Sequence, residues 1–89
     1  MVWRVEFTAA SVKQLKKFDP QAAQRITQFL RNRVAVLEDP RQLGAALRGS
    51  VLGAYWKYRL GEYRIVCSIH DTALHVEVIK VGHRKEVYE

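Results

Sequence analysis

Cysteine is nearly absent: Cys67 is the only one in 89 residues. A single thiol excludes an intrachain disulfide framework and a cysteine-rich zinc site, and it fits a reducing compartment, so a cytoplasmic location is expected. Proline occurs twice and glycine five times, with no Pro/Gly/Ser-rich linker, repeat or low-complexity segment. One small domain over residues 1–89 is therefore expected. No apolar run approaches the ~20 residues of a membrane span. Met1-Val2-Trp3-Arg4 leads into alternation and not into the apolar core of a signal peptide. No membrane association is expected. Gly-rich phosphate loops and nucleophile elbows are missing too. The three histidines, His70, His75 and His83, lack metal-ligand spacing, so neither a metal nor a cofactor is expected.

Acidic residues are scarce as well. Nine Asp/Glu stand against fifteen Lys/Arg, for a net charge of +6, while 48% of the chain is apolar. That is ample for one core, and the cationic excess points to an acidic partner such as nucleic acid.

The richest stretch is 54–88, AYWKYRLGEYRIVCSIHDTALHVEVIKVGHRKEVY. Residues 54–60 and 63–70 are dense in aromatic and β-branched side chains, and Gly61-Glu62 between them has the chemistry of a two-residue type II′ hairpin turn. That turn sets Leu60 opposite Tyr63, Arg59 opposite Arg64, Tyr58 opposite Ile65, Lys57 opposite Val66 and Trp56 opposite Cys67. Period-two alternation then gives an inward face of Trp56, Tyr58, Leu60, Tyr63, Ile65, Cys67 and Ile69. The other face carries Tyr55, Lys57, Arg59, Arg64, Val66, Ser68 and His70. Arg59 against Arg64 is a like-charge pair, which destabilises two facing strands. Either both guanidinium groups splay into water or an anion sits between them. A second turn at Asp71-Thr72 predicts Ile69 opposite Leu74, Cys67 opposite Val76 and Ile65 opposite Val78. It leaves Glu77 available as an ion partner for Lys57.

Upstream, residues 2–7 alternate as a short strand with Trp3, Val5 and Phe7 inward. Thr8 or Ser11 can cap the next helix, on which Ala9, Val12, Leu15 and Phe18 recur at helical spacing and Lys13, Lys16 and Lys17 face out. Asp19-Pro20 is a cap followed by proline at the first helical position. The helix it starts should run to about residue 37 on a stripe of Ala23, Ile26, Phe29, Leu30, Val34 and Leu37, and end at Asp39-Pro40. Residues 41–53 read as a connection that carries Arg48. The architecture expected is α+β: an N-terminal strand and a helical hairpin packed on a four-stranded antiparallel sheet, in the order β-α-α-β-β-β.

Leu47-Arg48-Gly49, Trp56-Lys57-Tyr58-Arg59, Tyr63-Arg64-Ile65-Val66, Val81-Gly82-His83-Arg84 and Glu86-Val87-Tyr88, taken as an ordered set, resemble the RelE/ParE toxins of type II toxin–antitoxin systems. The Gly-His-Arg…Val-Tyr ending is more similar to the RelE branch, the ribosome-dependent mRNA endonucleases, than to the ParE branch, which poisons DNA gyrase. The resemblance implies a metal-independent endoribonuclease that works on ribosomes and mRNA, and a RelB-like antitoxin bound in a hetero-oligomer. It implies that Lys57 and Arg59 are the paired basic residues of the second strand, that Arg64 follows the tyrosine of the third, and that Arg84 and Tyr88 are the tail arginine and base-stacking tyrosine. His83 takes a position that is basic in relatives.

Cutting RNA without metal requires a proton acceptor for the 2′-hydroxyl, cations for the extra phosphorane charge and a proton donor for the leaving 5′-oxygen. Lys57 or His83 is the expected acid or base, Arg64 and Arg84 the charge clamps, and Tyr88 a stacking platform; Arg48, Arg59 and Lys85 add RNA-binding charge. A gyrase inhibitor and a non-catalytic RNA-binding module are the alternatives.

Overall fold

The computed structural model describes residues 2–47 and 55–83. The first strand, β1 (Arg4–Phe7), is short because Thr8 immediately caps a helix. The Thr8 hydroxyl accepts the Ser11 N–H at 3.2 Å and opens α1 (Ala9–Lys16). Ser11, not Val12, faces inward: it is fully buried and donates to Thr8 O at 2.9 Å, while Val12 is 36% exposed. The inward stripe is thus rotated from the expected one, since the residue at the third helical position turns back to the cap rather than out. Asp19 accepts the Ala22 N–H at 3.0 Å, and Pro20 begins α2 (Pro20–Phe29), as the cap-then-proline pattern predicts.

The buried face of α2 is Ala22, Ile26, Leu30 and Val34, a strict i, i+4 row. Ala23 lies beside it and is half-buried. The last turn, Leu30–Val34, is π-helical: Ala35 N–H donates to Leu30 O at 2.8 Å. The helical run therefore stops at Val34, short of the expected Leu37. The wider turn swings Ala35 into the core, where its carbonyl accepts the Trp3 N–H at 2.8 Å.

The described part of the connection, residues 41–47, is more ordered than the sequence suggests. Asp39 caps a 3₁₀ turn at Pro40–Gln42, and β2 (Ala45–Ala46) then pairs antiparallel with β3 (Trp56–Leu60). β4 (Tyr63–His70) and β5 (His75–His83) follow. The sheet has five strands in the order β1-β5-β4-β3-β2, and β1 runs parallel to β5. The α+β class and element order agree with expectation. The four-stranded, wholly antiparallel sheet is corrected by the short β2 and the parallel β1.

The β3–β4 register is the one derived from the turn, from Trp56↔Cys67 through Arg59↔Arg64 to Leu60↔Tyr63. Gly61 has φ +57°, as the first central position of a II′ turn requires. The β4–β5 register differs. The turn spans Asp71–Leu74 with Leu74 at φ +49°, so His70 pairs with His75, Ile69 with Val76 and Cys67 with Val78. As far as Val78, a shift of two residues keeps each side chain on its expected face, which is why alternation alone does not choose between the registers. A β-bulge follows: Val66 pairs with Lys80, and Ile79 is the extra residue.

The core lies between α2 and one face of the sheet. Ile26, Leu30 and Val34 meet Tyr58, Ile65, Cys67, Val76, Val78 and Val81, all at most 2% exposed. Trp3 closes it at 5% exposed, with Nε1 donating to Glu38 O.

Candidate functional site

The sheet face opposite the helices carries the charge. Lys57, Arg59 and Arg64 point there by the β3–β4 register, and the bulge in β5 adds Lys80, which stands across from Val66 as Lys57 does on the other side. Two strand spacings, about 10 Å, separate the Lys57 and Lys80 backbones. Sequence reasoning misses Lys80, because unbroken alternation with Val76 and Val78 would turn it inward. The signal available is that misfit: a lysine at an apolar parity position, directly before Val81.

The two arginines do not both splay into water, because Arg64 folds back onto the chain. It is 9% exposed, and its Nη1 donates to Gly61 O at 2.9 Å and Tyr63 O at 3.0 Å, folding the guanidinium over the hairpin turn. Arg59 is exposed. One cation is thus fixed by carbonyls and the other left to solvent. A fixed arginine fork is prepared for a phosphate without losing rotamer freedom on binding.

Beside this pair lies a cleft of about 370 Å³ lined by Gly44, Ala45, Lys57, Tyr58, Arg59 and Arg64. Its outer wall is Gly44 and Ala45, and the segment that carries them is clamped to β3 by two side-chain donors. Trp56 Nε1 donates to Leu43 O at 2.6 Å, and Tyr58 Oη donates to Pro40 O at 2.7 Å. Burial pushes the Tyr58 hydroxyl well above the usual phenol range, so it stays a donor. Gly44 (φ +76°) sits tightly in the wall, where a methyl group would collide with the Lys57 carbonyl and lie 2.9 Å from Trp56 Nε1. At the far end of β4 and β5, Arg41 makes a bidentate bridge to Asp71 at 2.8 and 2.9 Å. Its hydrogen bonds hold the Asp71 carboxyl below the usual carboxylate range.

His83 does not join Lys57. The bulge changes the parity of β5, so His83 pairs with Tyr63 on the helical side and packs edge-on against its ring at 6.2 Å. Its Nε2 lies 3.9 Å from Glu62. Glu77 is not the partner of Lys57 either. It stands opposite Ser68 and 3.4 Å from His70, because the register shift carries it two residues toward the turn. His70 stacks on His75, which approaches Glu6 at 2.8 Å with poor alignment for a hydrogen bond. Among the described residues no group of three or more His, Cys, Asp or Glu is placed to hold a metal. Cys67 is buried, which raises its thiol pKa and leaves it unreactive. Arg48, Arg84, Lys85 and Tyr88 lie outside the described residues. Gly82, the last-but-one residue of β5, pairs with Arg64, so the chain leaves the sheet beside the fixed arginine.

The family model for the ParE toxin of type II toxin–antitoxin systems matches residues 5–88. The chain belongs to this toxin family. Its individual relatives carry RelE-type names. It is 27% identical over 88 residues to toxin RelG of Mycobacterium tuberculosis, covering 99% of this chain and 98% of the relative. It is 29% identical over 86 residues to toxin RelE of the same organism, covering 97% and 86%. Its fold is similar to that in the M. tuberculosis RelBE2 toxin–antitoxin complex, with TM-score 0.83, 26% identity, and 97% and 95% of the two chains covered. The intact E. coli RelBE toxin–antitoxin complex is also similar, with TM-score 0.71, 29% identity, and 91% and 95% covered. The RelE/ParE resemblance noted in the sequence is therefore correct, and the chain is a type II toxin with RelE-like neighbours. No helix among the described residues is long and apolar enough to cross a membrane.

Proposed function

We propose that this toxin is a metal-independent, ribosome-dependent mRNA endonuclease. The observation that carries the reading is the grouping of Lys57, Arg59 and Arg64 around a cleft of about 370 Å³, with Lys80 on the same sheet face. The 2′-oxygen attacks the adjacent phosphorus as its proton passes to a base. The bond from phosphorus to the 5′-oxygen breaks as that oxygen takes a proton, leaving a cyclic phosphate and a 5′-hydroxyl. Lys57, in the cleft, is the first choice for one proton transfer, ahead of His83 on the opposite face. Arg64 stabilises the phosphorane, with Arg84 as its partner from the tail; Arg59, Arg48 and Lys85 hold flanking phosphates. Tyr88 stacks on a base. The RelB–RelE composition of the similar complexes supports a RelB-like antitoxin as the partner that holds the toxin inactive in a cytoplasmic hetero-oligomer.

Purified toxin is added to programmed ribosomes and separately to naked mRNA, and new 3′ ends are mapped. Cuts only on ribosomes are expected. Growth inhibition with no cuts in either would overturn the nuclease reading. The ParE description of the family supports a second reading, gyrase inhibition. A supercoiling assay separates the two: inhibition of gyrase that survives Arg64→Ala and Arg84→Ala would favour it.

A further inference from the structure

β5 changes face part-way along. Val76 and Val78 point into the core, and so does Val81, because Ile79 is extra in the ladder. Strict alternation would send Lys80 into the apolar layer with Val76 and Val78. The bulge instead stands Lys80, exposed, on the face away from the helices, in one lateral row with the buried Val66 and the half-buried Lys57. No acidic side chain among the described residues bridges to Lys80.

The bulge is held from outside the sheet. β1 stops at Phe7 opposite Val78, so the margin of β5 beyond that point has lost its strand partner. Two side chains from the start of the helical layer take over. Thr8 Oγ1 donates to Ile79 O at 3.3 Å, and Gln14 Oε1 accepts the Val81 N–H at 2.7 Å. These bonds flank Lys80 on both sides. An acceptor from a helix, at a fixed distance from the strand, favours the bulged spacing over the regular one, since only the bulge puts Val81 N–H within its reach while Val81 packs inward.

We propose that Lys80 is a further phosphate-binding residue of the RNA face, and that Gln14 is a positioning residue that holds the bulge presenting it. The proposal rests on the RNA-directed reading above and extends it across β5. A single RNA strand on this face is held by Lys57 on one side of the buried Val66 and by Lys80 on the other, with the fixed Arg64 fork toward the β3–β4 turn. Lysine suits this role: its ammonium is a point charge on a flexible stem, which attracts a phosphate without demanding one orientation. Gln14 touches no RNA. It acts by keeping Lys80 out of the core.

Two measurements on the full chain test this. In the first, binding of a single-stranded RNA dodecamer is titrated at several salt concentrations. Lys80→Ala lowers the slope of log affinity against log salt by ~0.7, the value for one lost phosphate contact on a single strand. Gln14→Ala lowers it by a similar amount, and adding Lys80→Ala to Gln14→Ala lowers it no further, because the lysine has already been displaced. In the second, amide exchange is followed at Val81. Gln14→Ala speeds it at least tenfold, and Gln14→Glu, which keeps an oxygen acceptor, restores protection. A wild-type slope in Lys80→Ala overturns the phosphate role. Additive slopes, or unchanged Val81 exchange in Gln14→Ala, overturn the positioning role. A wild-type chain with no RNA affinity overturns the RNA-directed reading itself, while the exchange measurement still reports on the bulge.

Discussion

Arg64 shows how one residue reconciles stability with a charged site. Two facing arginines should weaken a hairpin, yet turning one guanidinium onto the Gly61 and Tyr63 carbonyls satisfies those acceptors and fixes the fork that the proposed mechanism uses. Lysine keeps the charge but not the fork. Arg64→Lys should therefore lower the cleavage rate on programmed ribosomes about 10²-fold while leaving the protein folded, as judged by circular dichroism. Asp71 works at the same scale but for stability. Its carboxyl pKa is lowered in the folded state by the hydrogen bonds from Arg41. A lowered folded value means the bridge stabilises above the unfolded carboxylate pKa, near ~3.9, and is lost as pH falls through the lower folded value. Asp71→Asn should accordingly have a lower Tm than wild type at pH 7, with the gap closing below about pH 4 and narrowing at high salt. Thermal melts across pH check this; a gap that persists at pH 2 would refute the linkage.

Among the elements, β2 and the 3₁₀ turn before it are the least expected and the most exacting. They are held to β3 by Trp56 and Tyr58, and Gly44 is pressed against the β3 backbone. Gly61 offers a built-in comparison: it too has positive φ, but nothing lies within 4 Å of a Cβ placed there. Gly61→Ala should cost only the left-handed backbone penalty, about 1–2 kcal/mol. Gly44→Ala adds a backbone collision and should cost more than ~3 kcal/mol, enough to lower Tm by ~10 °C or more in a domain of this size. It should also raise the KM for RNA, since it displaces the cleft wall beside Lys57. Equal Tm losses for the two alanines, measured by calorimetry, would show that the wall yields and is not clamped.

At the scale of the whole molecule, the sheet separates two tasks. One face packs on α2 through Ile26, Leu30 and Val34, each fully buried; the other presents cations. Core damage and site damage should then be separable. Leu30→Ala should cost ~2–5 kcal/mol in urea unfolding, with the salt dependence of RNA binding by the remaining folded protein unchanged. Lys57→Ala should leave the unfolding free energy in urea within about 0.5 kcal/mol of wild type and lower the salt slope by ~0.7. A change of both properties in either variant would contradict the separation.

Much of this fold is settled by local chemistry. Asp19 with Pro20 starts α2, and Gly61-Glu62 sets the β3–β4 register, because each signal acts over a few residues and has one low-energy geometry. Lys57, Arg59 and Arg64 are therefore legible as one surface from the hairpin signal alone. The β4–β5 register is not. Two turns of different length give the same apolar face, and only packing against the helices and β1 distinguishes them. The bulge depends on contacts as distant as Gln14 to Val81, 67 residues apart, and Thr8 to Ile79, 71 apart. Those contacts decide that Lys80 joins the cationic face and that His83 leaves it. Sequence by itself determined which strands carry the charge. Tertiary structure alone decided which side of β5 each cation occupies, because strand parity is a local rule that a single inserted residue reverses.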